Sequence, residues 1–218
     1  MKFKLAVLTT LLLSAVNAWA EDTSQTYEVT VTNLTRSINL TPILALSHNR
    51  NASVFTLGEQ ASDALADLAE GGATMPLQDL MMGTPAVLET TTTGGLLGPG
   101  ESVVFEIDAD SGHRLLSLVS MMLPTNDAFV AINGIKFPRN SRATVTYGIA
   151  YDAGSEMNDE LCANIPGPTC GGAPFSEGQA EGFVYVSNGI SGQGDLDAGV
   201  YDWNNPVISV SIHLQSEQ

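Results

Sequence analysis

The chain has 218 residues, with 24 Asp and Glu against 8 Lys and Arg and a formal net charge of −16. So acidic a surface repels phosphate backbones and anionic lipid heads, which excludes direct nucleic-acid binding. With 44% hydrophobic and 15% charged residues, the composition is that of a globular protein, not a disordered one.

In chain order, Lys2 and Lys4 precede an apolar run from Leu5 to Val16, and Ala18-Trp19-Ala20 gives a small-x-small pattern before Glu21. These features predict a secretory signal peptide over residues 1–20, cleaved after Ala20. A membrane anchor is the rival reading, but the run is shorter than the roughly 20 residues needed to span, and polar sequence follows it. No second long apolar run occurs. Residues 21–218 are therefore expected to form one exported domain, periplasmic or extracellular, without a transmembrane segment.

Period-two alternation predicts strands with one buried face at Tyr27, Val29 and Val31, at Val103, Phe105 and Ile107, and at Ile208, Val210, Ile212 and Leu214. More continuous apolar runs, Leu115 to Met122 and Phe129 to Ile132, predict central strands. Ala143 to Tyr151 and Phe183 to Val186 add two more. Turn clusters separate them, among them Gly94-Gly95, Gly98-Pro99-Gly100 and Asp110-Ser111-Gly112. One segment departs from this rhythm. Between Glu59 and Glu70, Ala61, Leu65, Leu68 and Ala69 recur at helical spacing, and Gly71-Gly72 follow as a stop. Many short strands with one short helix predict an all-β fold, an antiparallel β-sandwich.

The stretch YDAGSEMNDE, residues 151–160, holds Asp152, Glu156, Asp159 and Glu160 without one basic residue. It follows a predicted strand, and Ala153-Gly154 lets the backbone turn. Spacing alone leaves two readings open: a solvated acidic loop, or oxygens converging on a hard cation such as Ca²⁺, which takes six to eight of them. The loop does not match an EF-hand, whose glycine stands at the sixth position. Asp195 and Asp197 in GDLDAG form a weaker second candidate, with an Asp-Gly turn as the alternative. Cys162 and Cys170 are the only cysteines. In an exported chain their short spacing predicts a local disulfide, worth roughly 2–3 kcal/mol by chain entropy. No further Cys or nearby His completes a zinc set around them. The histidines, His48, His113 and His213, neighbour no recognisable nucleophile motif, and G-x-S-x-G, H-E-x-x-H and a phosphate-cradling glycine loop are all absent from the sequence. A non-enzymatic chain is expected.

Three stretches in order resemble the spondin domain family, the amino-terminal adhesion module of F-spondin and mindin, also found in exported bacterial proteins. They are SHNRNASVFTLGEQASDALADLAEGG (Ser47 to Gly72), SMMLPTNDAFVAINGI (Ser120 to Ile135) and YDAGSE from Tyr151. The last two resemble the family patterns S-M-hydrophobic-x-P-[ST]-x-D-x-F-V-G and Y/W-D-A-G-T-D. The resemblance implies a topology similar to the calcium-dependent membrane-binding (C2-like) sandwiches, and a Ca²⁺ ion held by Asp127, Asp152 and Glu156. Glu156 replaces the usual Asp, Ala128 and Ala131 stand where animal members often have Trp and Gly, and most of the animal domain's cysteines are missing. His48 matches a family His, with a hydrogen-bonded strand-end role favoured over ligation. The implied function is an exported calcium-binding adhesion or recognition module for an extracellular glycan, matrix polymer or surface protein. A calcium-dependent hydrolase and a structural envelope or biofilm component are the alternatives.

Overall fold

The computed structural model describes residues 24–176 and 178–215. The expected signal peptide, residues 1–20, lies outside the described residues. Ten strands and four short α-helices follow the chain as β1 (Gln25–Asn33), β2 (Asn39–Leu40), β3 (Leu44–His48), α1 (Asp63–Gly71), α2 (Thr74–Met82), β4 (Val87–Thr92), β5 (Ser102–Ala109), β6 (Leu115–Leu123), β7 (Ala128–Lys136), β8 (Thr144–Asp152), α3 (Gly167–Cys170), β9 (Tyr185–Val186), α4 (Ala198–Tyr201) and β10 (Ile208–Leu214). The described strand pairings are antiparallel, as expected.

Eight strands follow one hydrogen-bonded path in the order β4-β3-β6-β7-β8-β10-β1-β5, with β2 joined to β6 and β9 to β8. The two ends of the path meet: β4 packs beside β5, and the Asp108 amide donates to Glu89. The sheet is nearly closed, which hides most of the edge that an open sheet would offer to other chains. The turn of the path runs through β8, where Thr144–Gly148 pairs with β10 and Ile149–Asp152 pairs with β7. Gly148 sits at that switch. A Cβ there would lie 2.6 Å from Ile208 Cγ1, so the close approach of β10 requires its bare backbone.

The alternating strands place Tyr27, Val29 and Val31 of β1 and Ile208, Val210 and Ile212 of β10 in one core with Leu116, Leu118 and Met122 of β6 and Val130 of β7. The opposite faces of β6 and β7 are buried too. Val119, Phe129 and Ala131 pack with Leu65 and Leu68 of α1 and Leu77 and Met81 of α2 in a second core. Burial on both faces is why Leu115 to Leu123 reads as an unbroken apolar run instead of an alternation.

The helix expected from Glu59 to Glu70 begins later, at Asp63. Ser62 is its N-cap, accepting from the Leu65 amide, and Gly72 ends it in the left-handed region at φ 70°. The expectation of a single helix is corrected by α2, α3 and α4. α2 had no start signal to read: Ala73 at its N-cap makes no side-chain bond, and Pro76 in the first turn looks like a break. α3 and α4 are one turn each.

Candidate functional site

Antiparallel pairing assembles the site. Ala128 at the start of β7 pairs with Asp152 at the end of β8, so Asp127 stands beside the chain leaving β8. The Ala153 amide donates to the Asp127 carbonyl at 3.2 Å, extending the ladder by one step. The chain then turns at Gly154, whose φ is +62° and where a Cβ would lie 2.3 Å from the Phe183 carbonyl oxygen. Only glycine meets both demands. That turn folds Ser155 and Glu156 back over Asp127.

Asp127, Asp152 and Glu156 are each at most 2% exposed. Asp127 Oδ2 accepts from the Ser155 and Glu156 amides at 2.8 and 3.0 Å, and from Ser155 Oγ at 3.3 Å. Asp152 Oδ1 accepts from the Gly154 amide at 2.9 Å, and Oδ2 from Asn158 Nδ2 at 2.9 Å. Three of these carboxylate oxygens lack a hydrogen bond among the described residues. Asp127 Oδ1 and both oxygens of Glu156 are buried without any hydrogen-bond partner. Such groups are rare because each forfeits its hydration, and the fold of this loop over Asp127 leaves three of them.

Their titration reflects this. Burial, then the charge of Asp152, pushes the Asp127 carboxyl up to about 8 against the pull of the Glu156 and Ser155 amides. Burial pushes Glu156 up to about 7; the dipoles of Ser176 pull the other way without closing a hydrogen bond, and the charges of Glu70 and Asp159 add repulsion. Asp152 is raised by burial as well, and so is the Tyr185 hydroxyl beside it, with the Asp152 charge as its second cause. Glu70 of α1, 8% exposed, is raised chiefly by burial. It lines a cavity of about 350 Å³ with Ser155, Gly154 and Asp63. Glu70 belongs to the stretch expected to be helical but was not among the expected ligands; an acidic residue on the buried side of α1 is the signal that would have found it.

The remaining acids of 151–160 are relieved within the protein. Asp159 accepts from Asn126 Nδ2 at 3.1 Å and from the Leu161 amide at 2.9 Å. Glu160 lies in a cradle of backbone amides, from Ser191 at 2.5 Å, Gly192 at 2.8 Å and Gln193 at 3.1 Å. Burial alone would raise its pKa, but the hydrogen bonds from Ser191, Gly194 and Gly192 outweigh it and hold the carboxyl below its usual range. Asp195 and Asp197 also serve the backbone: Asp195 accepts from the Cys162 amide at 2.9 Å, and Asp197 caps α4 through the Gly199 amide at 2.8 Å. The expected disulfide is present. Cys162 and Cys170 are bonded to each other, closing the loop that carries α3.

His48 ends β3 and is hydrogen-bonded on both ring nitrogens, to the Asn49 carbonyl and to Ser117 Oγ, each at 2.8 Å. His48 and Ser117 are 1% and 0% exposed, so the pair is part of the packed interior. Burial holds the imidazole below its usual pKa, hence neutral. Among the described residues no group of three or more His, Cys, Asp and Glu is gathered so as to hold a metal ion, and no helix is long and apolar enough to cross a membrane.

The Spondin_N family model, the spondin N-terminal domain, matches residues 16–158, a span that contains Asp127, Asp152, Gly154 and Glu156. The chain belongs to the spondin N-terminal domain family. No curated protein matches it. In this spondin domain the matched span ends at Asn158, while the sheet continues past it: β10 supplies the strand between β8 and β1. The Glu160 cradle and the disulfide loop also lie beyond the span.

Proposed function

We propose that this spondin domain is an exported adhesion or recognition module whose carboxylate end binds Ca²⁺. One observation carries the reading: three buried carboxylate oxygens, Asp127 Oδ1 and Glu156 Oε1 and Oε2, have no hydrogen-bond partner among the described residues. Buried carboxylates are stable only when protonated, hydrogen-bonded or matched by positive charge. Hard oxygen donors without a basic partner suit Ca²⁺, which accepts a flexible coordination sphere. Asp127 and Glu156 would hold the ion, with Asp152 contributing charge. Backbone carbonyls and water would complete the six to eight oxygens that the side chains alone do not supply. The ion would fix the 151–160 loop, and a surface built around that loop would meet an extracellular glycan, matrix polymer or surface protein. A disulfide in a spondin domain suits an oxidising compartment, in keeping with cleavage of residues 1–20 and export of a single domain over 21–218. The C2-like, two-layer reading of the fold draws support from the core shared by β1 and β10 with β6 and β7, and from the switch of β8 between them.

The test is metal analysis of the purified chain with melting curves in calcium, magnesium and chelator. At ten times a dissociation constant on the order of 10⁻³ M, calcium would stabilise the fold by about 1.4 kcal/mol and raise Tm by roughly 3–6 °C. Magnesium, which needs near-octahedral geometry, gives a smaller shift. Asp152→Asn lowers the calcium-dependent shift and costs little in metal-free protein. Equal melting temperatures in calcium and chelator, with no ion found, would refute the site.

A further inference from the structure

At the far end of β7 from the carboxylates, four of the eight Lys and Arg residues of this acidic chain line one basin. Arg50, Arg114, Lys136 and Arg139 surround a cavity of about 490 Å³ together with Asn49 and Asn51. The sheet brings them there. His48, the last residue of β3, and Leu115, the first of β6, are paired, as are Leu115 and Lys136, the last of β7. The residues just outside those strand ends, Arg50, Arg114 and Arg139, therefore meet at one rim, and the Phe137 amide donates to the Arg114 carbonyl at 3.1 Å to hold it together. No Asp or Glu among the described residues lines the cavity. Among the described residues none of the four cations is in a salt bridge, although the sequence offers three acids for every base. Arg114 adds an independent sign: its Nη2 is shut off from solvent and has no acceptor among the described residues.

We infer that this basin binds a compact, multiply charged tetrahedral oxyanion, a phosphate or sulfate group, borne on a ligand of about monosaccharide size. Guanidinium groups present paired donors that match such oxygens, and an ammonium adds a point charge. The volume falls in the range of small-molecule sites. The size of the ligand follows from the charge balance: a net charge of −16 repels a long polyanion, whereas a small ligand reaches the basin without lying along the acidic remainder. The basin is separate from the carboxylate site, and the inference stands without it.

Isothermal titration calorimetry tests it, using the whole mature chain in calcium-free buffer that contains no other oxyanion. The probes are inorganic phosphate, inorganic sulfate and glucose 6-phosphate, with glucose as the control. Saturable one-site binding of at least one anionic probe, none of glucose, and loss of about ten-fold or more in affinity in Arg114→Gln and in Lys136→Gln is the expected result. Arg36→Gln, whose guanidinium instead donates to the Ala198 carbonyl, leaves binding unchanged. Tighter binding of the sugar phosphate than of the free ions assigns the group to an ester, and equal binding assigns it to the free ion. If Arg114→Gln fails to fold, the exposed pair Lys136→Gln and Arg139→Gln in one variant carries the same expectation. Absence of saturable binding up to about 10 mM of every probe, or unchanged affinity in the folded basin variants, overturns the inference.

Discussion

Gly154 couples the two halves of the acidic site, because its left-handed turn is what carries Ser155 and Glu156 back onto Asp127. Gly154→Ala would strain the backbone and drive a methyl into the Phe183 carbonyl, so it is expected to cost about 2–4 kcal/mol in denaturant unfolding. Glu156→Gln tests the opposite sign. It keeps the shape and removes a buried, repelled charge, so at pH 8 without metal it should stabilise the chain by roughly 1–2 kcal/mol while diminishing the response to calcium. A lower Tm for the metal-free variant would mean that the Glu156 charge is matched within the protein. At this scale the sequence was partly legible. The acids of 151–160 are visible as a cluster, but which are relieved is not: Glu160 is met by amides some 30 residues on, contributed by a loop whose glycines gave no hint of it.

At the scale of elements, α1 is a lid over the outer face of β6 and β7, fastened by Leu65 and Leu68, both 0% exposed. Leu65→Ala or Leu68→Ala should each cost about 2–5 kcal/mol, read as a fall in Tm of at least roughly 4 °C. An unchanged Tm in both would place the helix outside the stabilising core. This helix is readable from its helical apolar stripe and terminal Gly, while its capping Ser62 went unread, which is why its start was expected near Glu59 instead of Asp63. α2 packs on the same core through Leu77 and Met81 and ends at Gly83, but it lacks a capping side chain and carries Pro76 in its first turn. β1 and β10 announced themselves by alternation, since each has one buried face. β4 did not: in Val87–Thr92 only Val87 is buried, and a threonine-rich end strand held mainly by its backbone leaves no apolar period to find. β9, two residues long, falls below any periodicity, although the apolar run from Phe183 to Val186 marked its place.

For the whole molecule, the raised carboxyls make stability fall as pH rises, in the same direction as the self-repulsion of a chain with net charge −16. A carboxyl whose folded pKa lies above its unfolded value leaves the folded state holding the extra proton between the two, so stability falls as pH rises through that window. For Asp127 the window runs from 3.8 to about 8, and for Glu156 from 4.5 to about 7. Because Asp127 and Asp152 repel each other, the midpoint belongs to the pair. Metal-free protein should therefore melt higher at pH 5 than at pH 8; the two windows together span several kcal/mol at about 1.4 kcal/mol per pH unit and carboxyl, and even a third of that, about 2 kcal/mol, corresponds to roughly 4–8 °C. Saturating calcium should flatten the dependence, and a Tm in chelator that does not fall from pH 5 to pH 8 would contradict the assignment of these shifts. Strand β7, nine residues long, also gives the molecule a polarity. At about 3.3 Å per residue it holds the carboxylates roughly 30 Å from the arginine rim. Once those carboxyls are ionised, above about pH 8 in metal-free protein, the protein is an electric dipole laid along one strand, negative at the start of β7 and positive at its end. Near a charged surface such a body experiences a torque as well as a net force. Against a negatively charged cell envelope, the repulsion set by the net charge would be weakest with the arginine end forward. Screening confines that orientation to the last 8 Å or so of approach at physiological salt. A divalent cation at the other end would shorten the dipole, so occupancy at one end would change how firmly the opposite end is presented.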